Sequence, residues 1–471
     1  RDAQESRGLG DVYKRQVLAG VIDSPPLDGF VPWIAVSTTS AKRGYLELDA
    51  VPSTGVVGSF TTSDPALNYA IGLLDTGAGT SIMSNAGAVT LGLLPAYNTG
   101  LTTTLEGATG SVDAWVSRPL GLFVNGLAAI DPDTLALDTS TLVGQWNVSI
   151  LMGRTPVPPA PDLPTAIGAP LAVYFATAVD NRLTRSITRG GTTYTGPDVR
   201  LGDVDDPCVP QYPYTIPLEL RPLGGASVQY VPCIDIFGSC APARDGDPQS
   251  PSIIVGNSAQ SLFFVGSVFL SDAGRQANDK DRFMLDTGAQ VTVIGSRIAA
   301  LLGLKPSQAE FQVEIQGVNG QTIIRPGFYL DTIDLPALEE WLSFTDVPVV
   351  FLDVASPEGG TLDGIIGTNL LTEVNFVLRG GGLVGMPDPA LEFAFLAGGL
   401  LNADLDGDRD VDQADFGRLQ VCFSGRNVPQ QAAGCSTARL DGDCDVDADD
   451  LLLLLGCMSG PGIPASPACV P

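Results

Sequence analysis

Histidine is absent from the 471 residues of this chain. Its absence excludes Ser-His-Asp and Cys-His catalysis, the HExxH zinc motif and ordinary histidine-containing zinc sites. Acid–base chemistry near neutral pH must therefore fall to carboxylates, with lysine, tyrosine and cysteine as weaker candidates.

Positive charge and long apolar runs are also scarce. The chain carries 25 Lys and Arg residues against 53 Asp and Glu residues, which gives a formal net charge of −28. Such a charge repels a phosphate backbone or an anionic membrane, so we expect no nucleic acid partner. No apolar run approaches the roughly 18 residues of a membrane-spanning helix, so we expect no transmembrane segment.

The eight cysteines contain no CxxC pair, so neither a zinc ribbon nor a thioredoxin-like motif is supported. Disulfide bonds in an oxidising compartment are the favoured interpretation, and the many glycines and prolines are typical of a β-rich exported protein. The cysteines form two groups, each odd in number, so the sequence leaves their connectivity open. The groups are Cys208, Cys233 and Cys240, followed by Cys422, Cys435, Cys444, Cys457 and Cys469.

Composition divides the chain into five segments. Residues 1–16 are charged and unpatterned and resemble a translated sequencing artefact, so they are excluded from the fold prediction. Alternating apolar residues predict a first β lobe over 17–155 and a second over 167–398, the latter with a cysteine-containing insertion. A proline-rich linker over 156–166 joins them, and a small module of different composition occupies 399–471.

The two lobes contain an internal duplication. "DTGAGTSIMSNAGAVTLGL" (Asp75–Leu93) and "DTGAQVTVIGSRIAALLGL" (Asp286–Leu304) have the same length and the same ending. Each is followed by a glycine-framed turn and then by aliphatic residues before a glycine. The turns are Gly107–Gly110 and Gly317–Gly320, and the aliphatic segments are Ser149–Arg154 and Gly364–Leu371.

An aspartate at the end of a buried strand is held rigidly, and the glycine two residues later allows close approach of other backbone. Two such turns, face to face, would place Asp75 and Asp286 about 3 Å apart, where the pair holds one proton. One pair of carboxylates then supplies both an acid and a base, as a chain without histidine requires.

The repeated DTGA motif, with Ala78 and Ala289 after the glycines, resembles the aspartic proteases and is closest to their retropepsin-like branch. "IIGTNLLT" (Ile365–Thr372) is similar to a motif of the same branch. The resemblance implies a mainly β fold of two closed-barrel lobes, and a monomer, because both aspartates lie on one chain.

The resemblance also implies roles for single residues. Asp75 and Asp286 would be catalytic, activating a water without a covalent intermediate. The neighbouring residues Thr76, Gly77, Thr287 and Gly288 would support this dyad. Flap turns over the substrate would be framed by Gly107, Gly110, Gly317 and Gly320.

Two near copies of an acidic segment occupy the C-terminal module, each followed by an apolar stretch of helical spacing. The first places carboxylates at positions 1, 3, 5, 7, 9 and 12 of a calcium loop, and the second at all but position 1, which is Arg439. The residues are Asp404, Asp406, Asp408, Asp410, Asp412 and Asp415, then Asp441, Asp443, Asp445, Asp447 and Asp450.

This pair of loops resembles the dockerin module, a small α-helical unit that binds structural Ca²⁺ and docks onto a cohesin-like surface partner. Position 6, normally glycine, is Arg409 in one loop and Cys444 in the other. Two other readings stay open: a solvated acidic tail that binds no metal, and a stabilising or surface-retention tail without a cohesin-like partner.

The function that we expect is that of an aspartic endopeptidase, secreted or attached to the cell surface, which needs no cofactor for catalysis and hydrolyses peptide or protein substrates. One alternative is a catalytically inactive binding or adhesion protein displayed through the dockerin-like module. A second is a maturation protease that acts on one partner only and leaves generic peptides intact.

Overall fold

The protein is mainly β, as the sequence predicts. The computed structural model describes residues 17–40, 67–156, 162–222, 252–255, 261–356, 360–396 and 403–464, with short gaps at 108–109, 119, 205, 207, 279–281, 318–321, 339, 383–385, 427, 431, 433 and 441–443. The expected N-terminal artefact at 1–16 and the insertion cysteines Cys233 and Cys240 lie outside these ranges.

Strands account for most of the ordered elements. Up to residue 153 they are β1 (Val17–Asp23), β2 (Trp33–Ser40), β3 (Ala70–Asp75), β4 (Ile82–Met83), β5 (Asn98–Gly107), β6 (Gly110–Ser117), β7 (Leu120–Gly126), β8 (Val143–Val148) and β9 (Leu151–Gly153). From there to residue 278 they are β10 (Ala166–Gly168), β11 (Phe175–Arg189), β12 (Thr192–Asp203), β13 (Tyr214–Pro222), β14 (Ser252–Val255), β15 (Ser261–Val265), β16 (Phe269–Asp272) and β17 (Arg275–Asn278). The last are β18 (Phe283–Leu285), β19 (Val293–Ile294), β20 (Phe311–Gln316), β21 (Thr322–Pro336), β22 (Glu340–Phe351), β23 (Gly364–Ile366), β24 (Val374–Arg379) and β25 (Ala390–Phe395).

The helices are short. The α-helices of the described residues are α1 (Asn85–Thr90), α2 (Ala169–Ala172), α3 (Ser296–Leu302), α4 (Gln413–Cys422) and α5 (Ala448–Cys457). Single 3₁₀ turns lie at Leu127–Ala129, Thr139–Thr141, Pro306–Gln308, Thr368–Leu371 and Ser436–Ala438. None of the helices in the described ranges combines the length and the apolar character needed to cross a bilayer.

The strands form two sheets. The first has the order β14-β8-β7-β2-β3-β10-β4-β9-β6-β5. The second has the order β12-β11-β24-β25-β13-β15-β18-β23-β19-β22-β21-β16-β17, with β1 added beside β22 and β20 beside β21. One continuous apolar cluster includes residues of both sheets, such as Leu74 and Leu285, each 1% exposed. Burial of one such leucine contributes about 1.5–3 kcal/mol.

The expectation of closed barrels is wrong, because in the described residues neither sheet returns to its own first strand. The first sheet ends at β5, and nearly all of the residues of β5 are exposed. Closure would require an edge strand to pair with the opposite edge of the same sheet. β5 instead pairs only with β6 and leaves the sheet as a hairpin.

The chain crosses between the sheets more often than the expected segment boundaries imply. β1 pairs with β22 of the second sheet, although residues 17–155 were expected to form one lobe. β14 pairs with β8 of the first sheet, and β10 lies beside β3 although the linker was expected to end at residue 166. Sheet membership therefore does not follow the order of the halves along the chain.

Candidate active site

The two Asp-Thr-Gly turns begin where two buried strands end. Asp75 is the last residue of β3, and Asp286 follows the last residue of β18. β10 runs parallel to β3 with Gly168 opposite Asp75, and β23 runs parallel to β18 with Ile366 opposite Leu285. The backbone N–H of Asp286 donates to the carbonyl of Ile366 at 3.0 Å. Each aspartate is thus fixed by a neighbouring strand as well as by its own.

β10 is the structural counterpart of β23, so the pairing of Ser149–Arg154 with Gly364–Leu371 in the sequence comparison is wrong. A turn packs on a glycine at the end of each strand, Gly168 as the last residue of β10 and Gly367 directly after β23. A Cβ atom added at Gly168 would lie 2.4 Å from the carbonyl oxygen of Ala78, and one at Gly367 would lie 2.9 Å from that of Ala289. No larger residue fits either position without movement of the turn.

The distances along the sequence from each aspartate to the next aliphatic-glycine segment explain why Ser149–Arg154 was matched to Gly364–Leu371. Gly153 lies 78 residues after Asp75 and Gly367 lies 81 residues after Asp286, whereas Gly168 lies 93 residues after Asp75. The similar spacing favoured the wrong segment. Gly153 instead ends β9, which runs parallel to β4 as β22 runs parallel to β19.

The two turns exchange hydrogen bonds through their threonines. The N–H of Thr76 donates to Oγ1 of Thr287 at 3.1 Å, and the N–H of Thr287 donates to Oγ1 of Thr76 at 3.0 Å. Each hydroxyl in turn donates to the strand of the other lobe, Thr76 to Leu285 O at 2.8 Å and Thr287 to Leu74 O at 2.7 Å. Both threonine side chains are buried, so water does not compete for these four bonds.

The glycines bring each turn against the opposite carboxylate. A Cβ atom added at Gly77 would lie 2.3 Å from Cγ of Asp286, and one at Gly288 would lie 2.5 Å from Cγ of Asp75. Any side chain at these two positions would therefore push the carboxylates away from the turns. The two carboxyls also interact with each other, and each contributes to the pKa shift of the other.

The pKa values of both carboxyls are displaced upward. Burial raises the pKa of Asp75 well above its usual value, and the charge of Asp286 and the hydrogen bond to it raise it further. Burial also raises the pKa of Asp286, but the N–H groups of Gly288 and Ala289 donate to its Oδ1 at 2.9 and 3.2 Å and oppose that increase. Both pKa values are therefore raised, that of Asp75 further than that of Asp286, and the two carboxyls titrate as a pair.

A segment that the sequence analysis did not single out connects the two turns. This active-site strap, residues 26–32, lies against the Asp286 turn at Gly29, whose N–H donates to Gln290 O at 2.7 Å. The side-chain amide of Gln290 donates back to Gly29 O at 3.2 Å, and the hydroxyl of Thr368 donates to Phe30 O at 2.7 Å. Pro32 O then accepts the N–H of Leu74, next to Asp75, at 3.0 Å.

The only local signal for the strap is the pattern "PPLDGFVP" at residues 25–32, whose prolines and glycine are typical of a turn-rich connection. Its contacts could not be found from that pattern, because Gln290 and Thr368 lie more than 250 residues away along the chain. The strap spans from one aspartate turn to the other in four residues, so each end lies within about 13 Å of the other.

The expected flap turns join antiparallel hairpins. Gly107 and Gly110 pair with each other at the tip of β5 and β6. Gly317 follows β20, which pairs with β21, whereas Gly320 lies outside the described residues. Both hairpins have exposed first strands, with alternate or nearly all residues open to solvent.

Comparison with known proteins assigns part of this site to a family. An aspartyl protease family matches residues 275–370, which contain Asp286, β18 and β23. This region is aspartic-protease-like. The match leaves out the first turn at Asp75, so the likeness of that half rests on the structural duplication alone.

Curated proteins and solved structures do not extend the aspartic-protease-like region beyond residues 275–370. No curated protein matches the chain. A solved structure, conglutin gamma, a basic 7S globulin from lupine seeds, covers 77% of this chain and 95% of its own at 10% identity and a TM-score of 0.29. A likeness at that score carries no argument about fold or function.

The first acidic loop lies outside the aspartic-protease-like region and gathers six carboxylates. One ligand atom from each of Asp404, Asp406 and Asp408 lies within 4.8 Å of the others, and Asp410, Asp412 and Asp415 form a second such group. Asp415 is fully buried, and its Oδ1 accepts the N–H of Leu405 at 2.6 Å. The buried Oδ1 of Asp410 has no hydrogen-bond partner among the described residues.

The second acidic loop is described in part. Asp445, Asp447 and Asp450 are buried and have carboxylate atoms within 4.8 Å of one another, whereas Asp441 and Asp443 lie outside the described residues. Arg439, at position 1, donates to the carbonyl of Gln430. The donor sets of both loops consist of oxygen, which fits a hard cation such as Ca²⁺.

The two loops are related by an approximate twofold repeat. Val411, in the first loop, exchanges backbone and hydroxyl hydrogen bonds with Ser459, which follows α5. Val446, in the second loop, does the same with Ser424, which follows α4. Capping boxes at Asp412 and Asp447 start α4 and α5, so both predicted helices are present.

We predict that Thr76→Ala and Thr287→Ala each destabilise the protein. Each substitution leaves buried partners without a hydrogen bond, which costs about 1–3 kcal/mol per group. The double variant should lose less than the sum of the two losses, because each substitution removes partners of the other. Urea unfolding of the four proteins measures this, and Thr76→Ser, which keeps the hydroxyl, is the control. Strict additivity would contradict the reciprocal bonding.

We also predict that Asp75→Asn stabilises the protein increasingly as pH rises. The folded state holds the Asp75 proton to a higher pH than the unfolded chain does, so wild-type stability falls as pH rises through the folded pKa. The variant lacks this term, so its unfolding free energy minus that of wild type should grow from pH 4 to pH 7. Denaturant titrations at several pH values test this, with the exposed Asp133→Asn as control. Parallel curves for Asp75→Asn and wild type would argue against a buried, protonated Asp75.

Proposed function

We propose that this protein is an aspartic endopeptidase whose catalytic dyad is Asp75 and Asp286. The observation that carries the proposal is the exchange of hydrogen bonds between Thr76 and Thr287, which holds two carboxyls in contact from turns 211 residues apart. The match of residues 275–370 to an aspartyl protease family supports a peptide hydrolase chemistry for the same turn.

The asymmetry of the dyad suggests the role of each carboxyl. Asp286, which accepts two backbone N–H groups, is the ionised member and takes a proton from the attacking water. Asp75, the main holder of the proton, donates it to the carbonyl oxygen of the scissile peptide bond. Addition of the hydroxyl to the carbonyl carbon then gives a neutral tetrahedral diol.

Collapse of the diol completes the reaction. Asp286 passes its proton to the leaving nitrogen, the C–N bond breaks, and Asp75 recovers a proton from one hydroxyl of the diol. The dyad ends with the single proton with which it began, so no other acid, base or covalent intermediate is required. Two carboxyls thus carry out every proton transfer, as a chain without histidine requires.

Substrate would bind as an extended strand between the hairpins β5–β6 and β20–β21. Their exposed edges carry backbone groups that can pair with a peptide, so main-chain hydrogen bonds would supply much of the affinity. Binding of an extended segment in this way favours an unfolded protein or a flexible loop as the substrate.

We predict that Asp75→Asn and Asp286→Asn each reduce hydrolysis of an unfolded protein substrate by a factor on the order of 100 to 10,000, because each removes one of the two proton-transfer groups. The assay runs from acidic to neutral pH with and without pepstatin. Asp133→Asn, an exposed carboxylate of the first lobe, is the matched control.

Equal silence of wild type and variants on every substrate would overturn the peptidase proposal. It would favour the inactive binding or adhesion protein, whereas cleavage of one partner protein alone would favour the maturation protease. Equal activity of wild type and both variants would place the chemistry elsewhere.

We further propose that the C-terminal module binds structural Ca²⁺ and that the protein is exported. Asp404, Asp406, Asp408, Asp410, Asp412 and Asp415 would hold one ion, and Asp441, Asp443, Asp445, Asp447 and Asp450 a second. The grouping of carboxylate oxygens within 4.8 Å of one another supports a cation in the first loop, where Asp410 at position 7 would ligate through its backbone carbonyl. A cohesin-like surface partner is the docking target that the dockerin resemblance suggests.

We predict that millimolar calcium raises the melting temperature of the full-length protein, because the ion neutralises carboxylates that repel one another. Asp404→Ala should remove much of this rise, and Asp449→Ala, an exposed neighbour outside the ligand positions, should retain it.

Arg409→Gly should raise the melting temperature even without calcium. Arg409 has φ +80°, a left-handed conformation that costs about 1 kcal/mol for a residue with a side chain. If calcium produced no shift in any of these proteins, the metal assignment would be refuted.

A further inference from the structure

The number of cysteines in each part of the chain restricts how they can pair. Three lie in the second β segment and five lie in the C-terminal module. Because both numbers are odd, complete pairing within each group is impossible. If every cysteine forms a disulfide, at least one bond must join the body of the protein to the module.

The structure contains such a bond. Cys208, in the connection between β12 and β13, is bonded to Cys444 in the second acidic loop. Cys422 is bonded to Cys435 within the module, at the end of α4. The bond from body to module thus uses the cysteine that stands at position 6 of its loop, where the first loop has Arg409.

Both ends of this bond are held by their surroundings. The N–H of Cys208 donates to the carboxylate of Asp206 at 2.8 Å. The carbonyl of Cys444 accepts the N–H of Gln430 at 2.8 Å, and the side-chain amide of Gln430 donates to Cys422 O. The bond therefore connects two structured turns.

We infer that the C-terminal module docks on the body through its second acidic loop, that the Cys208–Cys444 bond holds it there, and that cation binding in this loop is coupled to the bond. Asp445, Asp447 and Asp450 follow Cys444 directly, so the bond restricts the backbone that presents these ligands. Loss of the bond would release the loop and weaken the cation site. Because coupling between sites is reciprocal, a bound cation must also protect the bond from reduction.

The first loop supplies an internal reference. It has aspartates at the same positions 3, 5, 7, 9 and 12 and the same type of helix cap, but its position 6 is Arg409, which cannot form a disulfide. Its cation affinity should therefore not depend on Cys208. Removing the bond should change one of two otherwise similar sites.

The attachment of the module to the body is tested by disulfide mapping, which requires no calcium. Peptide mapping of the unreduced full-length protein should recover a fragment in which Cys208 and Cys444 are linked. A map in which Cys208 pairs with another cysteine or remains a free thiol would overturn the inference. This result does not depend on the proposed peptidase activity or on the proposed cation sites.

The coupling is tested by calcium titration calorimetry of wild type and the double variant Cys208→Ser/Cys444→Ser. One site should weaken by about tenfold in the double variant while the other keeps its affinity. The Cys422→Ser/Cys435→Ser variant is the control for loss of a disulfide, because that bond lies within the module at the end of α4 and does not join the module to the body. Identical isotherms for wild type and the Cys208→Ser/Cys444→Ser protein would refute the coupling.

A redox equilibrium covers the case in which the double variant fails to fold. In wild type equilibrated with a glutathione redox buffer, millimolar calcium should raise several-fold the ratio of reduced to oxidised glutathione needed to reduce the Cys208–Cys444 bond, whereas magnesium should have less effect. Equal reduced fractions with and without calcium, in a protein that binds calcium, would refute the coupling. A wild type that binds no calcium would refute both the cation sites and the coupling, and would leave the docking to the peptide map.

Discussion

The exchange of hydrogen bonds between Thr76 and Thr287 is the interaction on which the rest of the site depends. Each threonine satisfies a buried N–H of the opposite turn and a buried carbonyl of the opposite strand. Neither turn can satisfy these groups alone, so the two sheets are held in one relative position. The contact of Gly77 and Gly288 with the carboxylates, and hence the pKa asymmetry of the dyad, follows from that position.

The active-site strap also helps to fix the relative position of the two sheets. A dyad assembled from two distant parts of one chain is sensitive to any rotation of one sheet against the other. The strap crosses from Gln290 to Leu74 and adds bonds on a second line beside the threonines. Two separate lines of contact resist rotation better than one, because a single line can act as a hinge.

The sequence allowed the two aspartates, with their threonines and glycines, to be named as a candidate site, because the two DTG segments are local and similar in sequence. The absence of histidine had already restricted the candidate acid–base groups mainly to carboxylates. The neighbouring strand β10 could not be found in the same way, since its match to β23 depends on a parallel pairing that an insertion displaces by a dozen residues. The strap and the open edges of the sheets also depend on contacts between distant residues, which alternation of polar and apolar residues does not encode.

The exchange of strands between the sheets affects how the chain can be made. β14 completes the first sheet from residues 252–255, and β1 joins a strand that begins at Glu340. During synthesis neither sheet can reach its final pairing when the first half of the chain has emerged. The N-terminal strand must wait for a partner more than 300 residues later, so most folding should follow release of the second half from the ribosome. Cutting the chain between its two DTG segments would for the same reason yield two incomplete sheets rather than two independent lobes.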